Sequence, residues 1–250
     1  MTIPLRLQLG PAVLEAHFVF ELLAYFLGYR YYVALRRREG DAVGDDARLW
    51  IVVGAILGAA IGSKLLGLLE HPRLLSLSRD NLAYLFAAKT IVGGLLGGVI
   101  GVEAAKLALG VTRSTGDLFC FPIILGMMVG RLGCFFAGVD DGTWGDATSL
   151  PVGIDGGDGV PRHPMPLYEI AMLGAIWLAL ARAKRDAALP GGALFRMFMT
   201  AYLAWRFLAE FFKPVETIAP LGLSAIQIAC LLGLAYYARA FRIATARKVA

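Results

Sequence analysis

The stretch 49-LWIVVGAILGAAIGSKLLGLLE-70 decides the fold. It contains one lysine, Lys64, a single acid at its end, and no proline. About 20 apolar residues suffice to cross roughly 30 Å of hydrocarbon as a helix. The apolar residues are continuous, not alternating, and a lipid-facing span must satisfy its own backbone hydrogen bonds, so the pattern fits a helix and not a barrel strand. Similar runs recur on both sides, and spans are predicted near 12–35, 49–70, 83–109, 117–138, 165–182, 193–213 and 220–241. The expected class is all-α: a polytopic membrane protein of about seven transmembrane helices, forming one integral membrane domain over residues 1–250.

Composition agrees with that reading. Hydrophobic residues make up 58% of the chain and charged residues 17%, against roughly half and a quarter in a soluble domain. The net charge of +5 is modest, and its location matters more than its size, so nucleic acid is not an expected partner. Cys120, Cys134 and Cys230 all fall inside predicted spans and form no C-x-x-C pair, which indicates neither a disulfide framework nor a zinc site. No carboxylate–histidine cluster has ligand spacing, and no metal or other cofactor is expected. The opening MTIPLRLQLG makes a poor signal peptide, so the first span is expected to remain.

Orientation follows from lysine and arginine in the short loops. Arg36, Arg37, Arg38 and Arg48 follow span one, Lys106 and Arg113 flank the end of span three, and Arg182, Lys184, Arg185 and Arg196 lie between spans five and six. Arg239, Arg242, Arg247 and Lys248 close the chain. These segments alternate correctly, which predicts an outer N-terminus and a cytoplasmic C-terminus. The Gly- and Asp-rich loop 139–163 then lies outside, as a periplasmic lid or binding loop over a site, although a plain connector also fits.

That topology gives the buried charges a depth. A charged side chain at the centre of a span costs roughly 2.5–3.5 kcal/mol and usually marks function. His17, Glu21, Lys64, Lys89, Arg131, Glu169, Arg206 and Glu210 come from six spans and all fall in the outer half of the bilayer. Two arginines and two lysines at one depth suit a phospholipid headgroup, because the guanidinium fork binds phosphate in bidentate fashion. Plainer readings exist for single members. Arg206 and Glu210 are four apart and can neutralise each other, Lys64 and Lys89 can snorkel to the interface, His17 can be structural, and Cys134 can be a small packing residue. The glycine-dense 93-GGLLGGVIG-101 suits close helix packing and could also admit a lipid chain.

Several segments, in order, resemble the prolipoprotein diacylglyceryl transferase family. The segment 130-GRLGCFFAGVDDGTWG-145 is similar to its signature G-R-x-G-N-F-x-N-G-E-x-x-G, 163-HPMPLYE-169 to H-P-x-Q-L-Y-E, and 206-RFLAEFFKP-214 to R-F-x-x-E-F-F-R. The stretches 223-LSAIQIACL-231, 58-GAAIGSKLLGLLE-70 and 90-TIVGGLLGG-98 match more loosely. The resemblance implies a seven-helix enzyme of the bacterial inner membrane that moves the diacylglyceryl group of phosphatidylglycerol to a lipoprotein cysteine. It implies that Arg131 and Arg206 hold the phosphate and that Glu210 orients Arg206. Gly130, Gly133 and Gly138 would shape the signature turn, braced by His163, Tyr168 and Glu169, with Lys64 and Lys89 adding to the headgroup field.

The chain also departs from that pattern. Val92 stands where the family has a histidine important for activity, Cys134 and Ala137 replace two asparagines, Phe20 replaces a first-helix tyrosine, and Lys64 replaces an arginine. Asp140 and Asp141 lie where the signature glutamate has no clean counterpart. Glu21 and Asp140 are therefore the candidates for activating an acceptor, since a carboxylate in a dry pocket can be tuned to act as a base. Attack at carbon would transfer diacylglyceryl, and attack at phosphorus a headgroup. The acceptor is left open as a protein thiol or another nucleophile. The same pocket also fits a non-catalytic phospholipid-binding or transport protein, and less well an assembly subunit with a structural charge cluster.

Overall fold

The computed structural model describes residues 3–9, 12–70, 89–186, 189–218 and 220–249. Seven α-helices occur among them: α1 Ala16–Glu39, α2 Asp45–Glu70, α3 Ile91–Ala108, α4 Cys120–Ala137, α5 Met165–Asp186, α6 Ala193–Ala209 and α7 Ala225–Val249. Each matches one predicted span. Five of the helical stretches are long and apolar enough to cross a membrane, and Ala225–Arg239 adds a shorter apolar one. The protein is an all-α, multi-pass membrane protein.

The boundaries shift for local reasons. Residues 12–15 do not begin α1. They form strand β2, Ala12–Glu15, paired antiparallel with β1, Arg6–Leu9, so the first helix starts later and runs to Glu39. The predicted third span opens at 83, but residues 83–88 lie outside the described ones. Helix α3 begins at Ile91 because Thr90 caps it, its hydroxyl accepting from the Gly93 amide. Helix α7 begins with a reciprocal cap in 224-SAIQ-227. The Ser224 amide donates to Gln227 Oε1 at 2.9 Å and the Gln227 amide to Ser224 Oγ at 3.1 Å, which satisfies two otherwise unpaired donors. Helix α6 is capped from a distance. Both carboxylate oxygens of Asp117 accept from its first turn, Oδ2 from the Gly192 amide at 2.6 Å and Oδ1 from the Phe195 amide at 2.9 Å.

The described residues fall into two compact units. In the first, α1 packs on α4 and α4 on α5, and segment 139–163 folds against the same helices. That segment is not a loose connector. It holds the short hairpin β3, Ile154–Asp155, with β4, Pro161–Arg162. Asp155 Oδ1 accepts from the Gly157 and Gly159 amides across the hairpin turn. The Arg162 guanidinium, 2.8 Å from Asp158, holds that carboxyl below its usual pKa.

In the second unit, α2 and α3 meet along facing glycines at four-residue spacing. Gly54 faces Gly101, Gly58 faces Gly97, and Gly62 faces Gly93. A Cβ on Gly58 would sit 2.2 Å from the Gly97 carbonyl oxygen, so the backbones meet directly, as small-xxx-small pairs allow in lipid. Gly58→Val is expected to lower stability by about 1–3 kcal/mol through overpacking. Gly174→Ala, in α5 where an added Cβ meets nothing within 4 Å, is expected to raise it by about 0.5–1 kcal/mol. Thermal unfolding in detergent checks both signs.

Candidate functional site

In the first unit the site is built around Arg131, whose guanidinium is buried in α4. Its Nη2 lies 2.9 Å from Oε2 of Glu169 on α5, and the other oxygen of Glu169 accepts from the Tyr202 hydroxyl at 2.8 Å. Glu169 is thus held from two sides and fixes the arginine in turn. Nε of Arg131 is buried and has no hydrogen-bond partner. A buried guanidinium with a donor left over is suited to an anion, because an unsatisfied buried donor is costly. Nothing in the sequence marks Tyr202 as a site residue. Its spacing from Glu169 carries no signal.

The rest of the signature segment bends chain around this arginine. Gly133 lets α1 approach α4, since a Cβ there would fall 2.7 Å from that of Phe20. Gly138 ends the helix at φ +77°, with the Gly156 carbonyl oxygen 2.5 Å from where its Cβ would be. Gly130 differs: room remains around it. His163 anchors the following turn. Its backbone pairs with Gly145 and Asp146, its ring bonds the Tyr168 hydroxyl at 3.2 Å, and Phe212 packs edge-on against it. These are bracing contacts.

A second group of polar side chains sits beside Arg131. Arg131 Nη1 lies 3.8 Å from Cys134 Sγ, one turn on. Cys134 Sγ is 3.9 Å from Nδ1 of His17 on α1, and that nitrogen is 2.6 Å from Oδ1 of Asp141. Asp141 belongs to a 3-10 turn, Val139–Asp141, directly after α4. The three donor atoms all lie within 4.8 Å of one another and could hold a metal ion. Spacing along the chain does not reveal this group, because 117 residues separate His17 from Cys134. The aspartate in contact is Asp141. Its neighbour Asp140 is exposed and lines a small cavity with His17. Glu21 accepts from Tyr25 and faces the other ring nitrogen of His17 at 3.9 Å.

In the second unit, Arg206 and Glu210 pair across one helical turn at 2.6 Å, the carboxylate fully buried. Gln227 Nε2 reaches the Phe207 carbonyl. Lys64 is half-buried on α2, whereas Lys89 is exposed just before the α3 cap. Ser63 Oγ accepts from the Thr90 amide at 3.0 Å, and Val92 is buried in the first turn of α3. No titratable group stands at position 92.

Membrane-spanning helices with arginine–carboxylate pairs buried among them define a multi-pass membrane protein equipped for polar chemistry within the bilayer. The family model for prolipoprotein diacylglyceryl transferase matches residues 4–242. Curated relatives named phosphatidylglycerol–prolipoprotein diacylglyceryl transferase include that of Bordetella avium, 31% identical over 89% of this chain and 85% of its own. That of Nitrosomonas europaea is 30% identical over 94% and 89%, and that of Geobacter sulfurreducens 32% identical over 81% and 80%. The chain belongs to the prolipoprotein diacylglyceryl transferase family and is a membrane transferase.

Proposed function

We propose that this protein transfers the diacylglyceryl group of phosphatidylglycerol to the cysteine thiol of a lipoprotein precursor, on the periplasmic side of a bacterial inner membrane. The observation that carries the reading is Arg131, a buried guanidinium held by Glu169 with one donor unused. The relatives' names supply the donor and the class of acceptor, and the arginine-rich loops support an outer N-terminus and a cytoplasmic C-terminus. Arg131 binds the lipid phosphate. The family pattern gives Arg206, held by Glu210, to the phosphate as well, and the lysines Lys64 and Lys89 to the headgroup field. As the glycerol carbon–oxygen bond to phosphate breaks, negative charge grows on the departing oxygen, and fixed cations in a dry site stabilise it. Gly133, Gly138, His163 and Tyr168 hold the turn that carries Arg131, and segment 139–163 frames the entrance for the acceptor.

Val92 favours a second reading, a phospholipid-binding protein without turnover, because the imidazole that the family pattern places there is missing. Incubation of the purified protein with labelled phosphatidylglycerol and a single-cysteine peptide separates the two. The expected products are lipid-modified peptide and glycerol phosphate. Saturable lipid binding with neither product defeats the transferase reading.

A further inference from the structure

We propose that His17, Cys134 and Asp141 form a zinc-type divalent-cation site whose open position takes the acceptor's thiol. The proposal rests on the transferase reading above and names how its acceptor is activated. The three donors come from three separate elements, α1, α4 and the turn after α4, and their atoms already lie within 4.8 Å of one another. Zinc bonds of about 2.0–2.3 Å at tetrahedral angles place donor atoms roughly 3.3–3.7 Å apart. The sulfur–nitrogen separation of 3.9 Å is near that range, and the nitrogen–oxygen separation of 2.6 Å needs to widen by about 1 Å. Thiolate, imidazole and carboxylate together are a zinc donor set, and three protein ligands leave the fourth position free.

The neighbours complete the arrangement. Thr143 Oγ1 donates to the second oxygen of Asp141 at 2.8 Å, and Glu21 stands 3.9 Å behind the far nitrogen of His17. Carboxylates and hydroxyls in those positions orient metal ligands. Beside His17 and Asp141 is a cavity of about 260 Å³, lined also by Glu15, Ala137 and Asp140. Its carboxylates favour a cation.

This arrangement addresses two departures from the family pattern together. Position 92 has no imidazole to serve as a base, and the signature asparagine is Cys134. A thiol bound to zinc loses its proton without a strong base. The acceptor's S–H proton passes to water in the cavity. The thiolate attacks the glycerol carbon, the C–S bond forms as the C–O bond to phosphate breaks, and glycerol phosphate leaves with the electron pair. Arg131 lies 3.8 Å from Cys134 Sγ, so the ionised sulfur is delivered beside the phosphate it displaces.

The test uses the full-length protein in detergent, with zinc content and cobalt(II) titration as readouts. One zinc per chain and a sulfur-to-cobalt charge-transfer band are expected. Cys134→Ser should abolish the band, and Cys230→Ser should keep it. His17→Gln and Asp141→Asn should each weaken binding more than Thr143→Val, for which about a tenfold loss is expected. Transfer should stop on chelation and resume with added zinc. Absence of the band in folded wild-type protein overturns the site, as does full cobalt affinity in His17→Gln. Transfer undiminished by chelator also overturns it, while leaving the transferase reading intact. Cobalt bound through Cys134 in a protein that transfers nothing from phosphatidylglycerol defeats that reading, and the acceptor's place at the metal with it.

Discussion

Arg131→Gln is expected to reduce transfer from phosphatidylglycerol by about 10²–10³-fold, the usual effect of deleting one fixed donor aimed at developing negative charge. The substitution removes the guanidinium that lies 2.9 Å from Glu169 and leaves the Tyr202 hydroxyl donating to that buried carboxylate. Breaking a buried pair costs about 3–5 kcal/mol, so lost activity alone would confuse catalysis with folding. The double variant Arg131→Gln, Glu169→Gln separates them. It removes both charges, should recover most of the stability, and should remain inactive. Arg131→Lys keeps the charge but not the planar fork and should restore only part of the rate. Initial rates with labelled lipid and thermal midpoints in the same detergent check all three. Double-variant protein that is stable and works at half the wild-type rate would remove Arg131 from the mechanism.

Glu210→Ala is expected to give the largest stability loss of any single change at the candidate residues, about 3–5 kcal/mol. Glu210 is fully buried and pairs with Arg206 at 2.6 Å, so truncation takes the carboxylate counter-charge from a buried guanidinium. Replacing both residues, Arg206→Met with Glu210→Met, removes both charges and should return stability to near wild type, since buried ion pairs are often matched by apolar residues of similar volume. Transfer should stay absent in that variant if Arg206 serves the phosphate. A Met–Met variant that both folds and transfers normally would reduce the pair to a structural role, the plainer of the two readings its four-residue spacing allows. Thermal unfolding followed by the labelled-lipid assay distinguishes the cases.

The sequence discloses the seven helices because hydrocarbon imposes one constraint, length, and the chain meets it with uninterrupted apolar runs. It hides the β1–β2 hairpin because 12-AVLE-15 reads as the start of an apolar helix, and only pairing with residues 6–9 reveals it as a strand. The Arg206–Glu210 pair is legible because one helix holds both. The Arg131–Glu169–Tyr202 chain is legible only as far as its motif members, since no periodicity links Tyr202 to the other two. The facing glycines are half legible: the run at 93–101 signals close packing, but its register against Gly54, Gly58 and Gly62 comes from the crossing of two helices. His17 and Cys134 look bland one at a time. Their chemistry exists only once α1 and α4 pack, at the point where Gly133 brings the helices together.

The Asp117 cap has a consequence for biogenesis. The residue is synthesised 75 positions before Gly192 and 78 before Phe195, the amides its carboxylate captures. Until those amides arrive, water at the start of α4 satisfies the carboxylate. The cap closes only when the start of α6 emerges, so the first turn of α6 gains its partner as soon as it is made. An early residue thus acts as a latch for a late helix, and Asp117→Ala should slow maturation of the protein more than it harms the finished molecule.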